Sequence, residues 1–119
     1  MVQGKRYIVS WGRLPEKWLN MAYVYAKMVR RGGHVVVAVC DAELLGKTIM
    51  FGKVKVKVNE SFYKGTRMRV EKALELLREA TIANLMGKNI VDAAVREGMV
   101  RRDAVIMLGD VPHVQIICI

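Results

Sequence analysis

The chain has 119 residues, of which 53% are hydrophobic, and this is enough for one domain with its own core. Twenty Lys and Arg outnumber eleven Asp and Glu, and the resulting charge of +9 favours an anionic partner such as RNA. The two cysteines lack the spacing of a disulfide framework or zinc knuckle, and no stretch reaches the roughly 18 apolar residues of a membrane span. Helical membrane proteins and disulfide-stapled domains are excluded, and we expect a soluble, cytoplasmic protein.

Residues 1–20 are basic and aromatic, and Gly12 and Pro15 interrupt any long regular element. They lack the apolar region of a secretory signal. We therefore expect a basic N-terminal arm followed by a single domain at residues 21–119. Residues 1–34 hold seven Lys and Arg against one Glu, whereas residues 81–119 are neutral. This distribution predicts one basic and one neutral side.

Residues 21–40 predict a β-hairpin. The run MAYVYAKMV can form a strand, Gly32 and Gly33 supply a turn, and VVVAV is typical of a central strand buried on both faces. The first regular element of the domain is therefore expected to be an antiparallel pair.

The loop CDAELLGKT at residues 40–48 ends in Gly-Lys-Thr, as a phosphate-binding P-loop does. A P-loop also needs a glycine five positions before Gly46, and Asp41 stands there, where its carboxylate would repel phosphate. We expect no nucleotide site, and we expect Asp41 to cap a short helical turn at residues 42–45 that Gly46 ends.

Valines and lysines alternate in the run KVKVKV at residues 53–58, which predicts a strand with buried valines and exposed lysines. Residues 67–86 have helical spacing, with an apolar stripe from Val70 to Leu85, and they predict one long helix that Gly87 caps. A second helix is predicted at residues 89–97 and ends at Gly98.

The C-terminal residues predict a second hairpin. Short apolar strands at residues 104–108 and 114–119 flank the turn sequence GDVPH, which contains Gly and Pro. The order of elements predicts an α+β fold, in which a small mixed or antiparallel sheet packs with a helical pair. That sheet would contain the N-terminal hairpin, the Lys/Val strand and the C-terminal hairpin.

Several sequence blocks occur together in one order: CDAELLGKT, Phe62-Tyr63, ATIANLMGKNIVDAAVREG and GDVPHVQ. In this order they resemble the archaeal family known as domain of unknown function 424, over residues 21–119. The resemblance implies an archaeal cytoplasmic protein of a small α+β fold, and it brings no established activity, cofactor or catalytic residue. Members of that family begin near Met21, so residues 1–20 are either an extension of this protein or the product of an upstream start codon.

One candidate site is a pocket between the CDAELLGKT loop and the GDVPHVQ turn. A loop histidine can exchange protons, and a cysteine can act as a nucleophile, whereas the alternatives are a histidine bonded to backbone and an inert core cysteine. An asparagine inside the predicted helix needs a hydrogen-bond partner, internal or foreign. We assign no catalytic residue and expect no metal or cofactor. The pocket hypothesis comprises Cys40, Asp41, Lys47, Thr48, Asn84, Asp110, His113 and Gln115.

The other candidate site is a basic surface. Alternate lysines of a strand stand about 6.6 Å apart, which suits a phosphate backbone, although lysines on an exposed strand also prevent edge pairing. Tyr23, Tyr25, Phe62 and Tyr63 are candidate stacking surfaces or core residues. The predicted nucleic-acid-binding residues are Arg30, Arg31, Lys53, Lys55, Lys57, Lys64, Arg67 and Arg69.

Three functions remain open from the sequence. The first is a non-catalytic accessory protein that binds RNA or a ribonucleoprotein through the basic surface. The second is a small ligand-binding protein or enzyme that uses the pocket. The third is an interaction protein, in which the apolar residues 114–119 pair with another chain, for example in a homo-oligomer.

Overall fold

The computed structural model describes residues 21–118, and the predicted arm at residues 1–20 lies outside the described residues. In chain order the elements are β1 (Tyr23–Arg31), β2 (His34–Asp41), a 3₁₀ helix (Ala42–Leu44), β3 (Thr48–Phe51), β4 (Val54–Lys57), α1 (Glu60–Tyr63), β5 (Thr66–Arg69), α2 (Val70–Leu77), β6 (Ile82–Met86), α3 (Lys88–Arg96), a second 3₁₀ helix (Arg102–Ala104), β7 (Ile106–Leu108) and β8 (Val111–Ile117). Within this part of the chain, every helix is too short and too polar to cross a bilayer.

Among residues 21–118, six strands form the main sheet, in the order β5-β1-β2-β6-β8-β7, and β3 and β4 form a separate two-stranded sheet. In the main sheet β2 and β6 run parallel, and every other neighbouring pair is antiparallel. The predicted α+β class with a mixed sheet is therefore confirmed. The Lys/Val strand was expected in this sheet, but it lies in the two-stranded sheet because its partner is β3.

Both predicted hairpins are present. Strands β1 and β2 pair around Gly32 and Gly33, which have φ values of 57° and 80° that glycine adopts without strain. Strands β7 and β8 pair from Leu108 and Val111, so the C-terminal turn is shorter than predicted. Pro112 and His113 lie inside β8, not in the turn.

The prediction of one long helix at residues 67–86 is wrong. Helix α2 ends at Leu77, and β6 then runs in the interior of the main sheet between β2 and β8. Alternate residues of this strand, Ala83 and Leu85, are buried, because pairing with β2 turns them toward the helices. Asn84 is therefore a strand residue. Gly87 begins α3 and does not end a helix.

The KVKVKV strand is confirmed as β4, but not all of its valines are buried as predicted. Val58, just after the strand, is fully buried, whereas Val54 is 59% exposed. The β3–β4 hairpin packs on the main sheet through Ile49 and Val58 at its base, and its tip extends into solvent. The side chains of Val54 and Phe51 at that tip find no apolar surface to cover them.

The main sheet has two different faces. On one, which we call the helical face, α2 and α3 cover the sheet, and the core contains Val37, Leu85 and Ile90. On the other, the open face, the β3–β4 hairpin and α1 cover only one end, over Ala38 and Cys40. The alternation of side chains along each strand separates these two faces.

Across the uncovered end of the open face, the strand register aligns Val29, Val36, Ile82 and Ile117 in one row. None of these four side chains is buried, and Ile117 is 63% exposed. The open face is therefore apolar but accessible at this end.

We expect Gly87→Ala to lower the free energy of unfolding by roughly 3 kcal/mol, from left-handed strain and steric overlap together. Gly87 has a φ of 120°, and a Cβ there would come within 2.6 Å of the Asp41 carboxyl oxygen Oδ2. Urea unfolding of the variant measures this loss.

Gly98→Ala is the matched control, because Gly98 has a φ of 75° but open space where a Cβ would stand. This variant should lose only the backbone strain, roughly 1–2 kcal/mol. Equal losses in the two variants would show that the close approach of Gly87 to Asp41 is unimportant for stability.

Candidate functional site

The carboxylate of Asp41 lies at the N-terminus of α3. Asp41 is only 1% exposed, and it is the one buried charged residue among residues 21–118. Its Oδ2 accepts a hydrogen bond from the backbone N–H of Asn89 at 2.8 Å, and its Oδ1 accepts one from Ile90 at 3.0 Å. Because helix-terminal amides have no partner within the helix, Asp41 caps α3 from a neighbouring strand.

This arrangement corrects the predicted role of Asp41. A 3₁₀ helix does follow it, at Ala42–Leu44, but the Asp41 side chain makes no capping hydrogen bond to that helix. The cap is made to α3 instead, to residues far along the chain, so local sequence rules could not reveal it.

Burial raises the pKa of Asp41 to about 7, although the hydrogen bonds from Asn89 and Ile90 oppose the rise. The nearby carboxylates of Glu43 and Asp92 add to it. A carboxyl group with a raised pKa holds its proton more tightly in the folded than in the unfolded chain. It therefore stabilises the fold below its ordinary pKa of 3.8, and this contribution is lost as the pH rises through about 7.

The Gly46-Lys47-Thr48 sequence forms the base of the β3–β4 hairpin. Gly46 donates its N–H to the carbonyl of Val58, and Val58 donates to the carbonyl of Lys47. Thr48 begins β3 opposite Lys57. The helix terminus that could hold a phosphate is α3, and there the Asp41 carboxylate already accepts the amides of residues 89 and 90.

A small cavity of about 240 Å³ brings the CDAELLGKT loop and the GDVPHVQ turn side by side. Of the eight predicted pocket residues, only Asp41 and Asp110 line it, together with Glu43 and Lys88. Lys47, Thr48, Asn84 and Gln115 lie elsewhere, Asn84 and Gln115 as direct neighbours on β6 and β8.

Cys40 and His113 do not form a nucleophile and base pair. They lie in one row of the sheet with Met86 between them, so their backbones are roughly 10 Å apart. Burial, with a smaller effect of Asp41, raises the pKa of Cys40 to about 12, which keeps the thiol protonated. The Nδ1–H of His113 donates to the carbonyl of Leu85 at 2.9 Å, which leaves Nε2 as an acceptor.

Within residues 21–118, no three His, Cys, Asp or Glu side chains lie close enough together to hold a metal ion. The acidic side chains around the small cavity therefore do not form a metal-binding set in the described structure.

The predicted basic residues fall into three groups. Lys53, Lys55 and Lys57 lie on the β3–β4 hairpin and are exposed. Lys64, Arg67 and Arg69 lie at and just before the edge strand β5. Arg30 and Arg31 lie at the far end of β1, roughly 17–26 Å along the strand from the positions that pair with Arg67 and Arg69, and Arg30 forms an ion pair with Glu79 at 3.1 Å.

The first two groups share one side of the molecule. Ile49 of β3 packs on the open face, so the alternate side chains of the hairpin, including Lys55 and Lys57, point away from the sheet into solvent. Arg67 stands opposite Tyr25, whose ring packs with the apolar cluster under the hairpin. Both groups therefore lie on the side opposite α2 and α3.

The aromatic ring of Tyr23 contacts both arginines of the β5 group. The Arg67 guanidinium lies 3.9 Å from the centre of the Tyr23 ring, and that of Arg69 lies 4.8 Å from it. Arg69 also donates to the carbonyl of Met21 at 2.7 Å. Such cation–π contacts hold the guanidinium groups in place at the sheet edge.

Charge is divided between the two faces. Residues 21–69 carry ten Lys and Arg against three Asp and Glu, and Asp41 is buried. Residues 70–105, which include both long helices, carry six of each sign. A large anion would therefore meet the basic side of the sheet and not the helical layer.

Sequence reasoning missed a cleft beside this basic edge, in which Glu43 and Asn89 meet Tyr23, Tyr25 and Arg67. It was missed because residues 67–69 were assigned to a helix. The alternation in the run TRMR, residues 66–69, was the available signal for a strand.

These features define a small α+β protein with a helical layer on one face of its sheet and a basic surface on the other. Residues 29–119 match the model of the family described as "Protein of unknown function (DUF424)", and the chain belongs to this family. The resemblance in the sequence blocks is thereby confirmed.

Solved structures also include a similar fold, the crystal structure of an uncharacterized conserved protein from Methanopyrus kandleri. It is 32% identical to this chain, with a TM-score of 0.71, and the match covers 80% of this chain and 90% of that one. No curated protein matches the chain.

The raised pKa of Asp41 predicts a pH effect on stability. Between pH 4 and pH 8 the Asp41 contribution to the free energy of unfolding should fall as the carboxyl group ionises. Asp41→Asn should be less stable overall, since an amide oxygen replaces only one of two acceptors, but it should lack this fall. Urea unfolding across the pH range measures both quantities.

Asp110→Asn provides the control, because Asp110 lines the same small cavity but is exposed. It should keep the pH dependence of the wild-type protein. If Asp41→Asn kept that dependence too, another group would be responsible for it.

Equilibrium titration with labelled ATP or GTP and Mg²⁺ should show no binding in the micromolar range of P-loop proteins, because Asp41 occupies the amides at the α3 terminus. Lys47→Ala should change nothing. Tight binding that this variant abolished would identify the hairpin base as a nucleotide site after all.

Proposed function

We propose that the protein is a non-catalytic accessory protein that binds RNA, alone or within a ribonucleoprotein, through its basic side. The observation that carries this proposal is the group of cations around Tyr23 and the β3–β4 hairpin. Among residues 21–118, Lys53, Lys55, Lys57, Lys64 and Arg67 have no ion-pair partner. Unpaired cations on one surface are available to neutralise phosphates.

The geometry of the hairpin suits this role. Lys55 and Lys57 are exposed on the solvent side of a hairpin whose other side is anchored to the sheet. Lys53 lies in the turn between β3 and β4, next to them. Because the backbone of the hairpin is already held in place, it loses less backbone freedom on binding than a free segment would.

Aromatic side chains accompany the cations. Tyr23 is 37% exposed beside Arg67, and Phe62 is 42% exposed on α1, between the hairpin and β5. Exposed rings next to cations offer stacking surfaces for bases of any sequence. Proteins that contact phosphates and stack bases in this way bind with little sequence preference and with strong salt dependence.

The alternative, an enzyme or ligand-binding protein that uses the small cavity, is supported by the proximity of its two loops. The protonated thiol of Cys40, with the backbone of His113 roughly 10 Å away, leaves that proposal without a ready nucleophile. We therefore favour RNA binding.

Self-association through the C-terminal strand would use a short edge. Strand β8 pairs with β6 through Ile117, but with β7 only as far as His113, so residues 114–117 have one edge that no strand within residues 21–118 pairs with. The exposed side chain of Ile117 lies at the end of that edge. Such an edge can pair with a second strand.

The triple variant Lys53→Gln, Lys55→Gln, Lys57→Gln tests the RNA proposal. Each phosphate contact contributes to the slope of log affinity against log salt, so removal of three charges should reduce this slope by up to roughly 2–3. Binding of a fluorescent structured RNA at a series of salt concentrations measures the slope. Urea unfolding should show that the fold is preserved.

The matched control is Lys72→Gln, Arg101→Gln, Arg102→Gln, which removes the same charge from the opposite side of the molecule. These residues are exposed, and their surface ion pairs contribute little to stability. The control should leave the salt slope within one unit of the wild-type value. Equal slopes in wild-type protein and hairpin variant would refute phosphate binding by the hairpin.

A further inference from the structure

A second, larger cleft of about 430 Å³ opens where β1 begins and the first 3₁₀ helix follows β2. Its volume is in the range of small-molecule sites. Besides two alanines, the cleft is lined by Tyr23, Tyr25, Glu43, Arg67 and Asn89. It therefore combines two aromatic rings, one cation, one carboxylate and one amide, and it lies directly beside the basic edge.

Tyr23 and Arg67 line one wall of this cleft. The guanidinium lies over the ring, 3.9 Å from its centre, within the range of a cation–π contact. Arg67 is exposed and forms no ion pair with residues 21–118. Nucleobases released from a duplex stack on aromatic rings and on arginine planes.

Glu43 supplies the hydrogen-bonding group. Its carboxylate is exposed, and it accepts no hydrogen bond and forms no ion pair within residues 21–118. The amide side chain of Asn89 is likewise unpaired in that range, and only the backbone N–H of this residue donates to Asp41. Two uncommitted polar groups thus face a cleft that has an aromatic wall.

The chemistry of a carboxylate selects among the bases. Guanine presents two adjacent donors, N1–H and the N2 amine, which match the two oxygens of a carboxylate. Adenine and cytosine each place an acceptor nitrogen next to their amine, and uracil has one N–H between two carbonyls. A carboxylate therefore accepts two hydrogen bonds from guanine and at most one from the other bases.

We propose that this cleft binds one unpaired guanine of an RNA, with the base stacked on the Tyr23–Arg67 wall and its N1–H and N2–H donating to Glu43. This inference rests on the proposed RNA binding and adds a base preference to it. A guanine in a duplex already uses these donors to pair with cytosine. The cleft therefore selects single-stranded segments or loops.

The test compares uridine-rich single strands that differ at one central position, which is guanine, hypoxanthine or adenine. Fluorescence anisotropy at one fixed salt concentration gives the three affinities. The guanine strand should bind about tenfold more tightly than the adenine strand, as expected for one bidentate contact. Hypoxanthine lacks the N2 amine, so its strand should fall between the two.

Glu43→Gln should remove the preference for guanine, since the amide offers only one acceptor. The measured quantity is the affinity ratio of the guanine and adenine strands, which cancels the general effect of losing a negative charge near RNA. Glu71→Gln, an exposed change of the same kind on α2, should keep the wild-type ratio. Tyr23→Leu should weaken the binding of all three strands.

The outcomes separate this inference from the proposed function. If the three strands bind with equal affinity and the hairpin variant still lowers the salt slope, the guanine site is refuted and phosphate binding stands. The same holds if Glu43→Gln and Glu71→Gln have equal ratios. If no strand or structured RNA binds, both proposals fail.

Discussion

The contact between the Asp41 carboxylate and the first amides of α3 determines how this fold is assembled. It joins the end of β2 to the helix that follows β6, and these two strands form the one parallel pair in the main sheet. Parallel strands have no short turn to hold them together, so a fixed connection at their ends compensates. Gly87 must lack a side chain for this contact to form, and α3 then packs Ile90 against the sheet.

The same contact explains why a sequence that ends like a P-loop takes on another role. An anion-binding helix terminus needs free amides, and in this protein a carboxylate of the chain itself occupies them. The Gly-Lys-Thr residues instead close the base of the β3–β4 hairpin, through hydrogen bonds of Gly46 and Lys47 with Val58. That hairpin carries the exposed lysines on which RNA binding is proposed.

Local signals predicted the elements that local interactions determine. The Gly32-Gly33 turn and the β-branched run after it were sufficient to place the first hairpin. Residues 82–86 were misassigned because Ile, Ala, Leu and Met fit a helical stripe as well as a buried strand, and only pairing with β2 decides between them. The cleft depends on a long-range contact as well as on β5, since the hydrogen bond from Asn89 to Asp41 brings Asn89 to the end of β2, beside Glu43.

One end of the sheet thus combines the stabilising contact of Asp41 with the cleft for which guanine binding is proposed. Asp41 is buried and holds α3, while Glu43, two residues later, is exposed on the 3₁₀ helix and lines the cleft. Because Asp41 fixes the backbone from which this helix starts, the Glu43 carboxylate begins from a rigid position relative to Tyr23 and Arg67. A carboxylate near a basic surface repels phosphates and would weaken RNA binding, unless the ligand donates hydrogen bonds to that carboxylate. In the proposed complex, the two N–H donors of guanine would provide that compensation for Glu43, which is one of two exposed acids, with Glu60, among residues 21–69.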